Sequence, residues 1–134
     1  MATYKDTFGS GWAELQLVVT QSSQNIAANT SVVSISLKIK KLKACSSYNN
    51  GGANVYIKKT TGTDATLWSS KTIDIRSLAV GSTKTLKTVS KTYTHGNDGT
   101  LKLTFKGYCA SGVGLGTASC SGTFTFTTIP RAST

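Results

Sequence analysis

Apolar and polar residues alternate with a period of two along this chain, and no segment repeats at 3.6. The clearest case is residues 31–43, where Val33, Ile35, Leu37 and Ile39 alternate with Ser34, Ser36, Lys38 and Lys40. Successive side chains of a strand point to opposite faces, so this spacing sets an aliphatic row inward and a polar row outward. Residues 12–19 do the same with Leu15, Leu17 and Val19 against Glu14, Gln16 and Val18. Shorter strands are predicted at residues 55–57, 67–75 and 121–128, the last with Phe124 and Phe126 inward. Turn-like stretches separate them: the polar residues 21–30, a loop holding Asn49-Asn50-Gly51-Gly52, residues 60–66 around Gly62 and Asp64, and a bend ending at Gly81. About eight short strands and a single proline predict an all-β antiparallel β-sandwich, Ig-like or jelly-roll-like, with a small barrel as the alternative.

Residues 86–105 concentrate the turn chemistry. Val89, Lys91 and Tyr93 alternate with Thr88, Ser90 and Thr92, and Leu101, Leu103 and Phe105 alternate with Lys102 and Thr104. Between them, His95, Asn97 and Asp98 can hydrogen-bond nearby backbone, while Gly96 and Gly99 tolerate positive φ. The stretch therefore predicts a β-hairpin, with His95, Asn97, Asp98 and Gly99 as structural turn residues. The last two strands predict another hairpin, whose inward residues complement one another if Phe105 opposes Phe124, Leu103 opposes Phe126, Gly107 opposes Gly122 and Cys109 opposes Cys120. Such a register makes Cys109 and Cys120 a cross-strand pair within reach of a strained disulfide under oxidising conditions. In a reducing cytosol it predicts two buried free thiols, with Gly107 and Gly122 leaving a notch for a larger side chain.

The chain has 134 residues, enough for one domain that needs no metal or disulfide. Residues 1–11 read as an N-terminal arm that pairs at a sheet edge or frays, residues 12–129 as the sandwich, and residues 130–134 as the start of a linker to a downstream region. Neither a signal-peptide core nor a run of about 20 apolar residues is present, which predicts synthesis in the cytoplasm and no membrane insertion.

Fifteen Lys and Arg against five acids give a formal charge of +10, which attracts polyanions such as nucleic acid, teichoic-acid-like polymers or anionic membranes, and which a merely basic surface would equally produce. Alternation places Lys38 and Lys40 outward together, and Lys102 and Lys106 outward with Thr104 and Tyr108. Such a face can track a polyanion, with Tyr56 or Tyr108 adding stacking. The competing explanation is that strand lysines discourage edge-to-edge pairing. The absence of an RNA-binding aromatic motif and of a recognition helix argues against nucleic acid.

For a ligand, Tyr48, Asn49 and Asn50 gather a ring and two amides in one loop, and Trp68 offers a second ring. Together with Lys38, Lys40 and Lys43 they form the predicted binding set, against the alternative that Trp68 and Trp12 are core. Catalysis and metal binding are not expected. The three cysteines, Cys45, Cys109 and Cys120, form no CxxC, there is one histidine, and one glutamate cannot supply the carboxylate pair of a glycosidase. His95 and Asp98 fall in one turn, and that turn offers too few oxygens for calcium. No cofactor is predicted.

The run Lys91 to Leu101 (KTYTHGNDGTL) and the run Gly122 to Ser133 (GTFTFTTIPRAS) resemble a family of siphophage tail proteins, a domain of unknown function. Gly11-Trp12 with the strand after it, the stretch from Gln21 to Ser31, and Ile73-Asp74-Ile75-Arg76-Ser77 look like the same family, so the resemblance covers nearly the whole chain. It implies a non-enzymatic module of a phage tail or host-recognition protein, structural or weakly adhesive to the bacterial surface. Its implied partners are other tail proteins and a cell-surface polysaccharide or teichoic-acid-like polymer, and its implied place is the virion tail. Family members carry the module N-terminal to further domains, reached through the Ile129-Pro130-Arg131 segment. Gly96 stands where the family more often runs directly from His to Asn, which predicts a turn one residue longer. The alternative function is a carbohydrate-binding module of a cell-wall-active enzyme.

Overall fold

The structure, a computed structural model, describes residues 1–9, 11–43, 55–62, 64–70, 78–110 and 117–130. Among these residues there are eight strands and no helix: β1 (Ala2–Thr7), β2 (Ala13–Asn25), β3 (Thr30–Lys41), β4 (Val55–Lys59), β5 (Ala65–Ser70), β6 (Thr83–Thr94), β7 (Lys102–Ala110) and β8 (Thr117–Thr125). They form two separate four-stranded antiparallel sheets, in the orders β1-β2-β3-β6 and β5-β4-β7-β8. Two open sheets face to face make a β-sandwich, so the barrel alternative falls away.

The period-two rows form the core. Leu15, Leu17 and Val19 of β2 lie opposite Ile39, Leu37 and Ile35 of β3, and all six are fully buried. Val55, Ile57, Phe105, Cys109 and Phe124 meet them from the other sheet. Trp12 is 3 % exposed and packs 4.9 Å from the Phe8 ring, which makes it a core residue at the start of β2.

The residues flanking His95 do not form a hairpin. β6 pairs with β3, whereas β7 pairs with β4 and β8, so residues 95–101 cross from one sheet to the other. Alternation within each strand is identical for a hairpin and for such an arch, and the difference lies in what the turn is fastened to. His95 N donates to Asn29 O at 2.8 Å, and the His95 ring reaches Ser31 Oγ at 2.6 Å, so the turn is tied to β3 and its approach.

Two further expectations change. Residues 21–30 are not all turn: β2 runs through a bulge between Gln21 and Ser23 as far as Asn25. Its polar composition is used across the sandwich, where Gln21 Oε1 accepts from Thr127 N at 2.9 Å and Gln24 Nε2 donates to Thr127 O at 2.6 Å. The β7–β8 register is displaced by two residues: Phe105 opposes Gly122, Leu103 opposes Phe124, Gly107 opposes Cys120 and Cys109 opposes Ala118. Cys109 and Cys120 are therefore diagonal neighbours on one face rather than an opposed pair, and both are free and buried.

The displaced register sets Gly122 beneath β1, which pairs with β2 as an edge strand from Ala2↔Val19 to Thr7↔Glu14. A Cβ on Gly122 would fall within the ring of Tyr4, so the missing side chain is the space Tyr4 occupies. A Cβ on Gly107 would meet Leu37 Cδ1 at 2.6 Å. Both glycines are notches, as the sequence suggested, and each is filled from the facing sheet.

Candidate functional site

β4 and β7 are paired so that Tyr56 opposes Tyr108, Ile57 opposes Gly107 and Lys58 opposes Lys106. Ile57 is fully buried, so the tyrosines and lysines on either side of this pair face outward. Tyr56-Ile57-Lys58 running one way and Lys106-Gly107-Tyr108 running the other set tyrosine opposite tyrosine and lysine opposite lysine. The tyrosine rings stack with centroids 5.0 Å apart and planes 16° from parallel. Lys58 Nζ lies 4.5 Å from the Tyr56 ring centroid and Lys106 Nζ lies 6.0 Å from that of Tyr108. Like charges directly opposed across a ladder repel, and each ammonium rests instead over the ring two residues away on its own strand, where the π face attracts it.

Hydroxyls rim the cluster. Ser119 opposes Tyr108 and Ser121 opposes Lys106 on β8, while Ser69 opposes Tyr56 and Thr66 opposes Lys58 on β5. Thr104 and Thr123 join hydroxyl to hydroxyl at 2.8 Å, and Lys102 continues the outward row of β7. Among the described residues no acid occupies an outward position on this sheet.

The sequence placed Lys102, Thr104, Lys106 and Tyr108 on one outer face and offered Tyr56 as a stacking ring; the structure brings Tyr56 to that face and adds Lys58. It puts the other predicted residues elsewhere. Lys38 and Lys40 face outward from the other sheet, opposite Gln16 and Glu14. That face holds a carboxylate: Glu14 Oε1 accepts from Gln16 at 2.8 Å and lies 3.9 Å from Lys5 Nζ. Lys41 turns inward and is 7 % exposed, whereas Lys43 follows β3 and is exposed. Trp68 opposes Ile57, so it faces inward and is half-buried against the core. Trp68 and the Lys38–Lys40 row are therefore on different sheets, one facing in and the other out. Tyr48, Asn49, Asn50 and Cys45 lie outside the described residues.

A family model described as siphovirus protein of unknown function (DUF859) matches residues 1–134. The chain belongs to that siphovirus family. It is thus a bacteriophage protein, and the family points to a structural component of the virion. No curated protein and no solved structure matches the chain. No helix among the described residues is long and apolar enough to cross a membrane.

In this siphovirus domain the lone histidine is built into the fold. His95 is 4 % exposed, with Nδ1 2.8 Å from Gly99 O and Nε2 2.6 Å from Ser31 Oγ. Asn29, at φ 58°, donates from Nδ2 to His95 O at 2.9 Å and to Gly96 O at 3.0 Å. Asp98 Oδ1 accepts from the Thr100 hydroxyl and amide, which holds its carboxyl below the ordinary value. Ser31 and Asn29 escaped the sequence reading because a partner some sixty residues away leaves no local pattern. Lys58 was hidden for a related reason, and Tyr56 was named without its place beside Tyr108, since only the β4–β7 register brings them to Lys106 and Tyr108.

Proposed function

We propose that this domain is a non-enzymatic module of the siphovirus tail that adheres weakly to the bacterial cell surface. The observation that carries the reading is the outer face of the β5-β4-β7-β8 sheet, where Tyr56, Lys58, Lys106 and Tyr108 gather with no acid among the described residues of its four strands; Asp6 of β1 reaches only the β8 edge, where its Oδ2 accepts from Ser119 N at 2.9 Å. Two further points support a non-catalytic role. His95 is spent on fastening the inter-sheet turn. A concavity of about 450 Å³ between β1 and β8 is lined by Ala2, Tyr4, Gln21, Thr123 and Phe124 among others, and among the described residues it brings together no carboxylate, histidine or cysteine. Tyr48, Asn49 and Asn50 are proposed to add loop contacts, and Lys38, Lys40 and Lys43 a general attraction to anionic surfaces.

Weak single-site binding follows from a flat, solvated face, and many copies on one virion would raise it through avidity. The test is retention on purified host cell walls, measured for the monomer and for a multivalent display at low and high ionic strength. Retention of the multivalent form that falls as salt rises is expected. If the multivalent form is not retained at low salt, adhesion is excluded and a purely structural tail role remains.

A further inference from the structure

Resting on the adhesion reading, we infer that Tyr56, Lys58, Lys106 and Tyr108 form a binding site for a phosphodiester-linked polyol, with one phosphate seated between the two ammonium groups. Lys58 and Lys106 are directly opposed on one face of a chain whose formal charge is +10. Their Cβ atoms are about 4.5–5.5 Å apart in such a pair, close enough for repulsion when nothing is bound. An anion between them is attracted by both and cancels that repulsion. A phosphodiester offers two equivalent non-bridging oxygens, one for each of the two opposed lysines.

The rings decide between polyanions. Single-stranded nucleic acid is held by bases stacking on free aromatic faces. Here Tyr56 and Tyr108 already stack on each other at 5.0 Å, and the Lys58 ammonium sits 4.5 Å from the Tyr56 centroid. A base or the apolar face of a sugar finds little ring surface to cover. What the face presents is ammonium groups, phenols and the hydroxyls of Ser119, Ser121, Thr104 and Thr123, partners for phosphates and polyol hydroxyls. Lys102, outward on the same strand and about 13 Å along it from Lys106, is placed to meet a later phosphate of the same chain.

The test titrates the 134-residue protein with polyglycerol phosphate, with dextran and with a single-stranded DNA oligonucleotide, each over a range of NaCl concentrations. The variants are K58Q, K106Q, the double variant, and K87Q/K91Q, two exposed lysines of β6, as the control from the other sheet. Polyglycerol phosphate is expected to bind and dextran not to. Removing each lysine should lower the slope of log affinity against log salt by about one, by the counterion release known for nucleic acids. The double variant should bind at least tenfold more weakly at low salt, with K87Q/K91Q within twofold of wild type. A second readout is independent of the ligand: Lys106→Glu, which turns the repulsive pair into an attractive one, should raise the melting temperature by about 1–4 °C while abolishing binding. DNA bound as tightly as polyglycerol phosphate would overturn the assignment in favour of nucleic acid. Wild type and double variant retained equally on cell walls would overturn this site and leave adhesion standing, whereas walls that retain neither would remove both.

Discussion

His95 bonds through both ring nitrogens. The Gly99 carbonyl can only accept, so Nδ1 donates to it, while Nε2 pairs with the Ser31 hydroxyl. Its ring also meets Phe126 edge-on at 5.8 Å. Replacing His95 by Ala removes one hydrogen bond from each of two buried groups, leaving Gly99 O with Ile129 N and Ser31 Oγ with Gln24 Nε2, and opens a gap beside Phe126. The expected loss is about 2–4 kcal/mol in urea unfolding, with the slope unchanged. A loss under about 0.5 kcal/mol would mean that the turn holds without its histidine. The local chemistry of residues 95–99 was legible as structural, because short polar side chains and glycines announce a turn. Its anchorage was not, since Asn29 and Ser31 carry nothing in their own neighbourhood that names His95.

Between strands, Tyr4 fills the space at Gly122, and Asp6 Oδ2 accepts from Ser119 N at 2.9 Å where β1 meets β8. Gly122→Ala should expel the Tyr4 ring and cost about 1–3 kcal/mol. Tyr4→Ala made in that background should cost less than it does alone, a coupling of about 0.5–3 kcal/mol in a double-mutant cycle. Additive losses would show that the two do not touch. Gly107→Ala should be milder, because the atom it meets is the end of the Leu37 side chain.

The neighbouring thiols extend the same packing. Burial pushes both Cys109 and Cys120 from 9.0 up to about 12. A folded value above the unfolded one gives stability that is fully present below pH 9.0 and is lost as pH rises towards about 12. In a Cys45→Ser background, iodoacetamide at pH 8 should therefore modify these thiols only after urea unfolds the chain, as mass spectrometry can check. Modification of the folded protein at the unfolded rate would contradict their burial.

Strand faces were readable because alternation reports which side is wet. Strand partners were not. A register slip of two preserves every face, and the same alternation serves a hairpin and an arch. Tyr4 seated at Gly122 is a feature of the observed β7–β8 register, and it comes from the other end of the chain.

Across the whole molecule the two outer faces differ in charge. The β1-β2-β3-β6 face sets Glu14 among Lys5, Lys38 and Lys40. The β5-β4-β7-β8 face sets Lys58, Lys102 and Lys106 beside two tyrosines without an acid among its described residues. Net charge was legible from composition, and half of this face from alternation on β7. The other half depends on β4 lying beside β7, a long-range pairing that one strand's pattern does not encode. The central claim is that this second face meets the cell surface, and it is tested most directly by following backbone amide shifts in ¹⁵N-labelled protein as polyglycerol phosphate is added at low salt. The account expects the largest shifts at Tyr56, Lys58, Lys106 and Tyr108, smaller ones at Ser119, Ser121 and Lys102, and little change along β3. Shifts centred on Lys38 and Lys40, or spread evenly over every exposed lysine, would contradict it.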